Sequence, residues 1–346
     1  MQKKSSFPKI DVALIGAGRM GRRHIHAIKQ LGLNLVGVVD ISHASVLEAQ
    51  TEHDLSGEVL FDTEDALYSA ATPECLVIST TADSHCALAC NAAARGVKYI
   101  LVEKPLAISL AECQLMIAAC KKFGAQIAVN HQMRFMAQYS KPKTLLNSDA
   151  YGGFKSMTVV AGNFGISMNA THYFEAFRYL ADEDLDEVTA WFSAEPVPNP
   201  RGAQFEDRAG SIRVTTAGGK RLYLEIGSDQ GHGVHVTYAG RNGFLTINEL
   251  TGEMITSVRE PQFRDLPTTR YGMPAENSRE SIPPAEVIDS TARVLEALLL
   301  NENSVNAQQG MMAVRVLVGA YMSAENGNRP VKLDSSLDQT RIFPWA

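Results

Sequence analysis

The chain has 346 residues, 45% hydrophobic and 20% charged, with 26 Gly and 14 Pro; this is ordinary globular composition and excludes disordered, collagen-like and fibrous chains. Its 32 Lys+Arg against 38 Asp+Glu give a formal charge of -6, so no global field draws it to nucleic acid or to an anionic membrane. The cysteines Cys75, Cys86, Cys90, Cys113 and Cys120 are odd in number and lack a familiar zinc spacing, which fits reduced thiols of a cytoplasmic protein better than a disulfide framework or a metal site.

The apolar run Ile10–Ile15, stopped by Gly16, is too short for a signal peptide or a membrane span and reads as a buried strand. Helix is expected over Arg19–Gln30, strand over Leu35–Val39, helix over Ala44–Glu52, a strand near Val59–Phe61 and a short helix over Thr63–Ser69. Strand Cys75–Ser79, helix Ser84–Arg95, strand Tyr99–Val102, helix Ser109–Phe123 and strand Gln126–Asn130 follow. Nearly all-apolar strands need cover on both faces, which alternating helices supply through right-handed crossovers. Residues 1–130 therefore read as a parallel, doubly wound α/β domain.

Beyond Phe135 the rhythm changes. Asn169–Leu180 is helical in character, and then Val188–Glu195, Ser211–Ala217, Lys220–Asp229, Val234–Ala239, Gly243–Asn248 and Glu253–Val258 read as strands. The turns Gly218-Gly219, Arg241-Asn242 and Thr251-Gly252 offer the positive φ that tight hairpins demand. Residues 131–346 are thus expected to form an α+β domain on a large, mainly antiparallel open sheet. Glu260–Pro284 reads as an exposed loop, and helices Ala285–Leu300 and Ala307–Ala324, free to pack back on the first domain, close the chain.

The strongest local signal is Gly16-Ala17-Gly18-Arg19-Met20-Gly21, which follows a strand and opens a helix. Gly16 permits the tight turn, Gly18 lets backbone approach a pyrophosphate, and Gly21 lets helix and strand pack closely. Asp40 ends the second strand about 20 residues beyond Gly21, where a carboxylate can accept hydrogen bonds from a ribose diol. It should repel a 2′-phosphate and so favour NAD, while Arg19, Arg22, Arg23 and His43 leave NADP open. A second signal, Glu103-Lys104-Pro105, ends the strand at Val102. A lysine held at a strand's C-terminal end can be desolvated towards acid–base work, although alone it reads more readily as a surface lysine.

Together, Gly16–Gly21 with His24, Glu103-Lys104-Pro105 and the later His172 resemble the glucose–fructose oxidoreductase/inositol dehydrogenase/rhizopine-catabolism (Gfo/Idh/MocA) family over essentially the whole chain. The resemblance implies an N-terminal Rossmann domain and a dimer or tetramer joined through the antiparallel sheet. It places Thr80, Thr81 and His85 beside the nicotinamide, together with Glu103 and Lys104. It has Lys104 reach both nicotinamide and the reacting carbon, has Glu103 help place that lysine, and admits a cis bond before Pro105. Asn130-His131-Gln132-Met133-Arg134-Phe135 is similar to the family's crossing into the second domain, with Arg134 near the substrate and Gln132 where asparagine is frequent.

Asn169-Ala170-Thr171-His172-Tyr173-Phe174-Glu175 opens a helix. An imidazole there can take a hydroxyl proton, since its ordinary pKa lies near 6.5; in the family context His172 is catalytic, with Asn169 beside the substrate. The family usually carries an aspartate four residues earlier, where this chain has Met168. His232 and His235 lack a third metal ligand, Glu206-Asp207-Arg208 reads as a solvated face, and Arg264, Arg270 and Tyr271 sit in a loop that could close over a polar substrate. The expectation is an NAD(P)-dependent oxidoreductase acting on a secondary hydroxyl of a sugar, cyclitol or sugar derivative. The alternatives are a redox-neutral, NAD-using sugar enzyme and a non-catalytic dinucleotide-sensing regulator.

Overall fold

The computed structural model describes residues 10–162, 164–199, 201–202, 204–267, 274–283, 286–343 and 345. These form two compact units, the first comprising the chain up to Gln132, Glu286–Val314 and the residues from Gln339, the second Met133–Ala285 and Arg315–Asp338.

The first unit runs β1 Asp11–Ile15, α1 Arg19–Gln30, β2 Asn34–Val39, α2 His43–His53, β3 Leu60–Phe61, α3 Glu64–Ala70, β4 Cys75–Ile78, α4 Ala82–Ala94, β5 Tyr99–Val102, α5 Leu110–Phe123 and β6 Gln126–Val129. The helices start where the chemistry of their first turns dictates: Ser42, Thr63 and Ser109 accept the N–H of Ser45, Ala66 and Glu112 as N-caps, and Gly124 ends α5 at φ +73°. All pairs in the sheet are parallel, in the order β3-β2-β1-β4-β5-β6, which is the Rossmann arrangement. The edge strand β6 is covered by the chain returning at Val305 and Asn306, which removes an exposed ladder edge.

The second unit contains α6 Ala137–Leu146, β7 Phe154–Gly162, a π-helical turn Ile166–Ala170, α7 Thr171–Ala181, β8 Leu185–Phe192, β9 Gly210–Thr216, β10 Arg221–Gly227, β11 His235–Gly240, β12 Gly243–Asn248, β13 Glu253–Arg259 and β14 Ala275–Ser281. Helix α8, Val287–Leu299, belongs to the first unit, where Gln30 Nε2 donates to Asp289 Oδ1 at 2.9 Å; α9, Ala307–Glu325, continues from the first unit into the second, and β15, Val331–Lys332, pairs with β8. The second sheet has the order β14-β13-β12-β11-β7-β10-β9-β8-β15 and is antiparallel apart from the β7–β10 pair.

Three expectations are corrected. Glu260–Pro284 is not all loop: β14 pairs with β13 over seven residues. Its sequence, AENSRES, carries no apolar alternation because the strand lies at the sheet edge with nearly every side chain exposed. The stretch between Phe135 and Asn169, left without elements above, holds α6 and β7, with Pro142 inside α6. Asn242 turns the β11–β12 hairpin without positive φ, its N–H donating instead to Tyr151 O at 2.9 Å.

Candidate active site

In the first unit the residues of interest gather at the C-terminal ends of β1, β2, β4 and β5. Strand order reverses there, between β1 and β4, and open α/β sheets bind ligands at that point. Gly16 leaves β1 at φ +98°, and a Cβ on it would lie within 2.8 Å of the Ser79 carbonyl and Thr80 N. A Cβ on Gly21 would collide with Gly16 O. Both glycines are packing requirements. Gly18, the residue before α1, differs: a Cβ there meets nothing within 4 Å among the described residues. Its bareness serves no neighbour in the chain, but it keeps open the approach to the first-turn N–H groups, which have no intrahelical acceptors.

Asp40 follows β2 and is tethered to the glycine loop: Oδ2 accepts from Ala17 N at 2.6 Å and Oδ1 from Ser42 N at 2.7 Å. Beside it Ile41 is 103% exposed, an unpacked apolar side chain that the motif reading passed over. Arg19 is exposed, and Met20 Sδ accepts from Arg23 Nη1 at 3.3 Å. Open first-turn amides, a bare Gly18 and a tethered carboxylate at the end of β2 fit NAD.

Thr80 and Thr81 lie on the loop after β4, the Thr80 and Ser84 hydroxyls 2.6 Å apart. His85, expected beside the nicotinamide, is 0% exposed. Its Nδ1 faces Pro105 O at 3.1 Å and Leu106 O at 3.3 Å, and Nε2 faces Thr80 O at 3.3 Å. Burial pushes its pKa down, and with no accessible surface the ring touches no ligand. It pins the loop after β4 to the turn after β5, so its expected role is corrected from contact to support.

Glu103 directly follows β5, and the Lys104–Pro105 peptide is cis. Glu103 Oε1 pairs with His24 Nε2 at 2.8 Å and accepts from Asn130 Nδ2 at 2.7 Å, both partners fully buried. Burial works against the Glu103 charge, but the bond to His24, that ring's charge, Asn130 and Lys104 outweigh it and hold the carboxyl well below the usual range. A carboxylate only accepts, so His24 Nε2 carries the proton. Lys104 itself is half-buried, on a backbone anchored on one side by this network and on the other by the turn that His85 supports.

In the second unit the candidates ride on the π turn and the first turn of α7. Ile166, Ser167, Ala170 and Thr171 are fully buried, which leaves Met168, Asn169 and His172 half-exposed. Glu206-Asp207-Arg208 is no solvated face: Asp207 is 0% exposed. Its Oδ1 accepts from Ser167 N and Arg208 N at 2.9 Å, and Oδ2 from Met168 N at 3.0 Å. Arg134, expected at the substrate, is likewise corrected. It is buried and hydrogen-bonded to Glu175, which also binds Arg178 at 2.7 and 3.0 Å, and its guanidinium lies 5.3 Å over the Tyr179 ring. Sequence could not show this, because the Arg134 partner is 41 residues away. Of the loop residues, Arg264 Nη1 reaches Asp149 O at 3.5 Å, while Arg270 and Tyr271 fall outside the described residues.

A strand–glycine loop–helix with a tethered carboxylate, on a sheet of Rossmann order, is the arrangement of a nicotinamide dinucleotide-binding domain. Residues 10–131 match the family model described as an oxidoreductase family with an NAD-binding Rossmann fold. That match shows an NAD-binding Rossmann domain over these residues, and its cofactor is NAD. It is 25% identical over 261 residues to an inositol 2-dehydrogenase of Serratia proteamaculans, covering 69% of this chain and 74% of that protein. Among solved structures it is similar to an oxidoreductase from Agrobacterium radiobacter in complex with NAD+, L-tartaric acid and magnesium, with a TM-score of 0.79 and 18% identity, covering 95% of this chain and all of that one. The transcriptional regulator Gal80p of Kluyveromyces lactis has the same fold, with a TM-score of 0.75 and 13% identity over 95% of this chain and 92% of that one. No helix among the described residues is long and apolar enough to cross a membrane.

Proposed function

We propose that the chain is a dehydrogenase oxidising a secondary hydroxyl of a sugar, cyclitol or related polyol. The observation that carries this reading is Lys104 at the end of β5, on a backbone anchored by the buried His24–Glu103–Asn130 network; the likeness to an inositol 2-dehydrogenase supports the substrate class. NAD, when bound, supplies the hydride acceptor. Gly18 and the first turn of α1 hold its pyrophosphate, Asp40 its adenosine ribose, and Ile41 offers apolar area for the base. Lys104 binds the substrate hydroxyl oxygen and stabilises the negative charge that develops on it. His172 accepts the hydroxyl proton, and Asn169 on the same turn binds a neighbouring hydroxyl.

We further propose a homodimer or homotetramer. Tyr223 shares a row with Thr158, Thr237, Thr246 and Ile255 across β10, β7, β11, β12 and β13, so Tyr223, Ile255 and, two residues from this row, Phe244 occupy one exposed face of the second sheet. A second copy of that face is its proposed cover.

The test is a screen at 340 nm with NAD or NADP against sugars, cyclitols and nucleotide sugars, wild type beside Lys104→Ala. NADH formation that depends on Lys104 is expected. A second reading, a dinucleotide-sensing regulator, draws on Met168 in the family's aspartate position and on the Gal80p-like fold; it predicts calorimetric NAD binding with no turnover across the panel.

A further inference from the structure

The segment that presents Asn169 and His172 is five residues of π-helix running into α7. A π turn is rare and intrinsically less stable than α-helix, so something outside the segment must hold it. One buried carboxylate does so from 40 residues away. Asp207 receives the second and third amides of the turn, Ser167 N and Met168 N, one on each oxygen, and no side chain cation is needed because the amides and the positive end of the helix satisfy its charge. The backbone on either side is zipped as well: Ile166 N donates to Arg208 O at 2.8 Å, and Val197 N donates to Asp207 O at 3.0 Å. Gly165 makes room for this arrangement, since a Cβ there would run into the Asp207 carboxylate. On the carbonyl side, Thr171 Oγ1 donates to Ser167 O at 3.1 Å, closing the turn immediately before His172.

We infer that Asp207 is a positioning residue for the proposed reaction: with Gly165 and Thr171 it sets the π turn that aims Asn169 and His172. The inference rests on the proposed function for its kinetic consequence but not for its structural one. It also bears on Met168. The chain lacks a carboxylate side chain at that position, yet a carboxylate grips the position's backbone amide from behind. Burial pushes the Asp207 pKa up while its three amide donors pull it down, the net direction being up; Asp207 has no accessible surface through which to meet a substrate, so support is the role left to it.

The experiment follows the His172 ring by 15N-selective NMR in the full-length protein, its signals assigned with His172→Gln, in wild type, Asp207→Asn, Thr171→Val and Arg208→Ala. Asp207→Asn keeps the side chain's shape but turns an NH2 toward one of the amides. Thr171→Val removes only the hydroxyl, so it judges the inference even where Asp207→Asn fails to fold. The Arg208 side chain pairs with Glu206 and caps no amide of the turn, which makes Arg208→Ala the control for general loosening of the loop. The expected result is displaced or doubled His172 signals in Asp207→Asn and Thr171→Val, wild-type signals in Arg208→Ala, and NAD affinity within about twofold in all three. With a polyol that turns over, kcat falls about tenfold in Asp207→Asn, as misaimed groups cost rate, while Arg208→Ala keeps its rate. Unchanged His172 signals in both Asp207→Asn and Thr171→Val overturn the inference, as does an equal disturbance in Arg208→Ala. The NMR arm reads the same whether or not any polyol is oxidised, so a silent wild type refutes the proposed function separately.

Discussion

Replacing His24 by alanine removes the ring that bonds Glu103 from a site with no solvent access. The loss has two parts. A hydrogen bond to a charged group contributes about 1.5–3 kcal/mol, and the vacated ring space adds a cavity cost of about 1–2 kcal/mol. Asn130 remains as a donor to the same oxygen, so the carboxylate is weakened in its surroundings and not stripped. We expect His24→Ala to lose about 3–4 kcal/mol of stability. Glu103→Gln keeps an acceptor for both partners and should lose about 1–2 kcal/mol. In the double variant the two losses should fall short of additivity by about 1–2 kcal/mol, because the pair is coupled. Urea unfolding monitored by circular dichroism, with NAD absent, reads all three. A His24→Ala loss below about 1 kcal/mol, or strict additivity, would refute the claim that this network anchors the lysine-bearing strand end.

The glycine loop gives a paired prediction. Gly21→Ala, whose Cβ collides with Gly16 O, should lower stability by several kcal/mol; Gly18→Ala, whose Cβ meets nothing within 4 Å among the described residues, should unfold like wild type yet bind NAD at least about tenfold more weakly by calorimetry. Asp40→Ala should narrow the preference for NAD over NADP, read as the ratio of the two dissociation constants, because the carboxylate that repels a 2′-phosphate is gone. The acid limb of stability should carry the mark of Glu103. Its native pKa is lowered, so its contribution is complete above an unfolded value of about 4.3 and is lost as pH falls through the native one. Acid titration of Glu103→Gln should therefore show a shallower loss, and an acid limb identical to wild type would contradict the assignment. Tyr223→Glu on the open sheet face should shift the mass measured by light scattering toward the monomer; an unchanged mass would place any interface elsewhere.

The first unit was legible because its strands are short apolar runs between turn signals, and α1 was placed residue for residue by the glycine loop before it and the apolar spacing of Gly21, His24, Ile25 and Ile28 within it. The cofactor motif was legible for the same reason: each glycine and Asp40 act within a single strand–helix–strand unit. What escaped depends on partners far along the chain. Asp207 lies between Glu206 and Arg208, an ordinary surface charge run by sequence, and only its pairing with the amides of Ser167 and Met168 takes it inside. Arg134 is drawn into the core by Glu175 in the same way. His85 shared the motif-bearing loop with Thr80 and Thr81, but on α4 it falls on the inward face. Strand β14 escaped because an edge strand with both faces exposed needs no hydrophobic period.

The central claim is that Lys104 acts on a substrate hydroxyl while NAD receives the hydride, and the most direct measurement is a single-turnover stopped-flow trace at 340 nm with enzyme in excess over NAD. Wild type with an oxidisable polyol should accumulate one NADH per bound NAD. Lys104→Met should bind NAD normally and form NADH about a thousandfold more slowly, the scale of losing a group that stabilises developing charge. NADH that appears and then decays would point instead to a redox-neutral reaction, and formation undiminished in Lys104→Met would contradict the account.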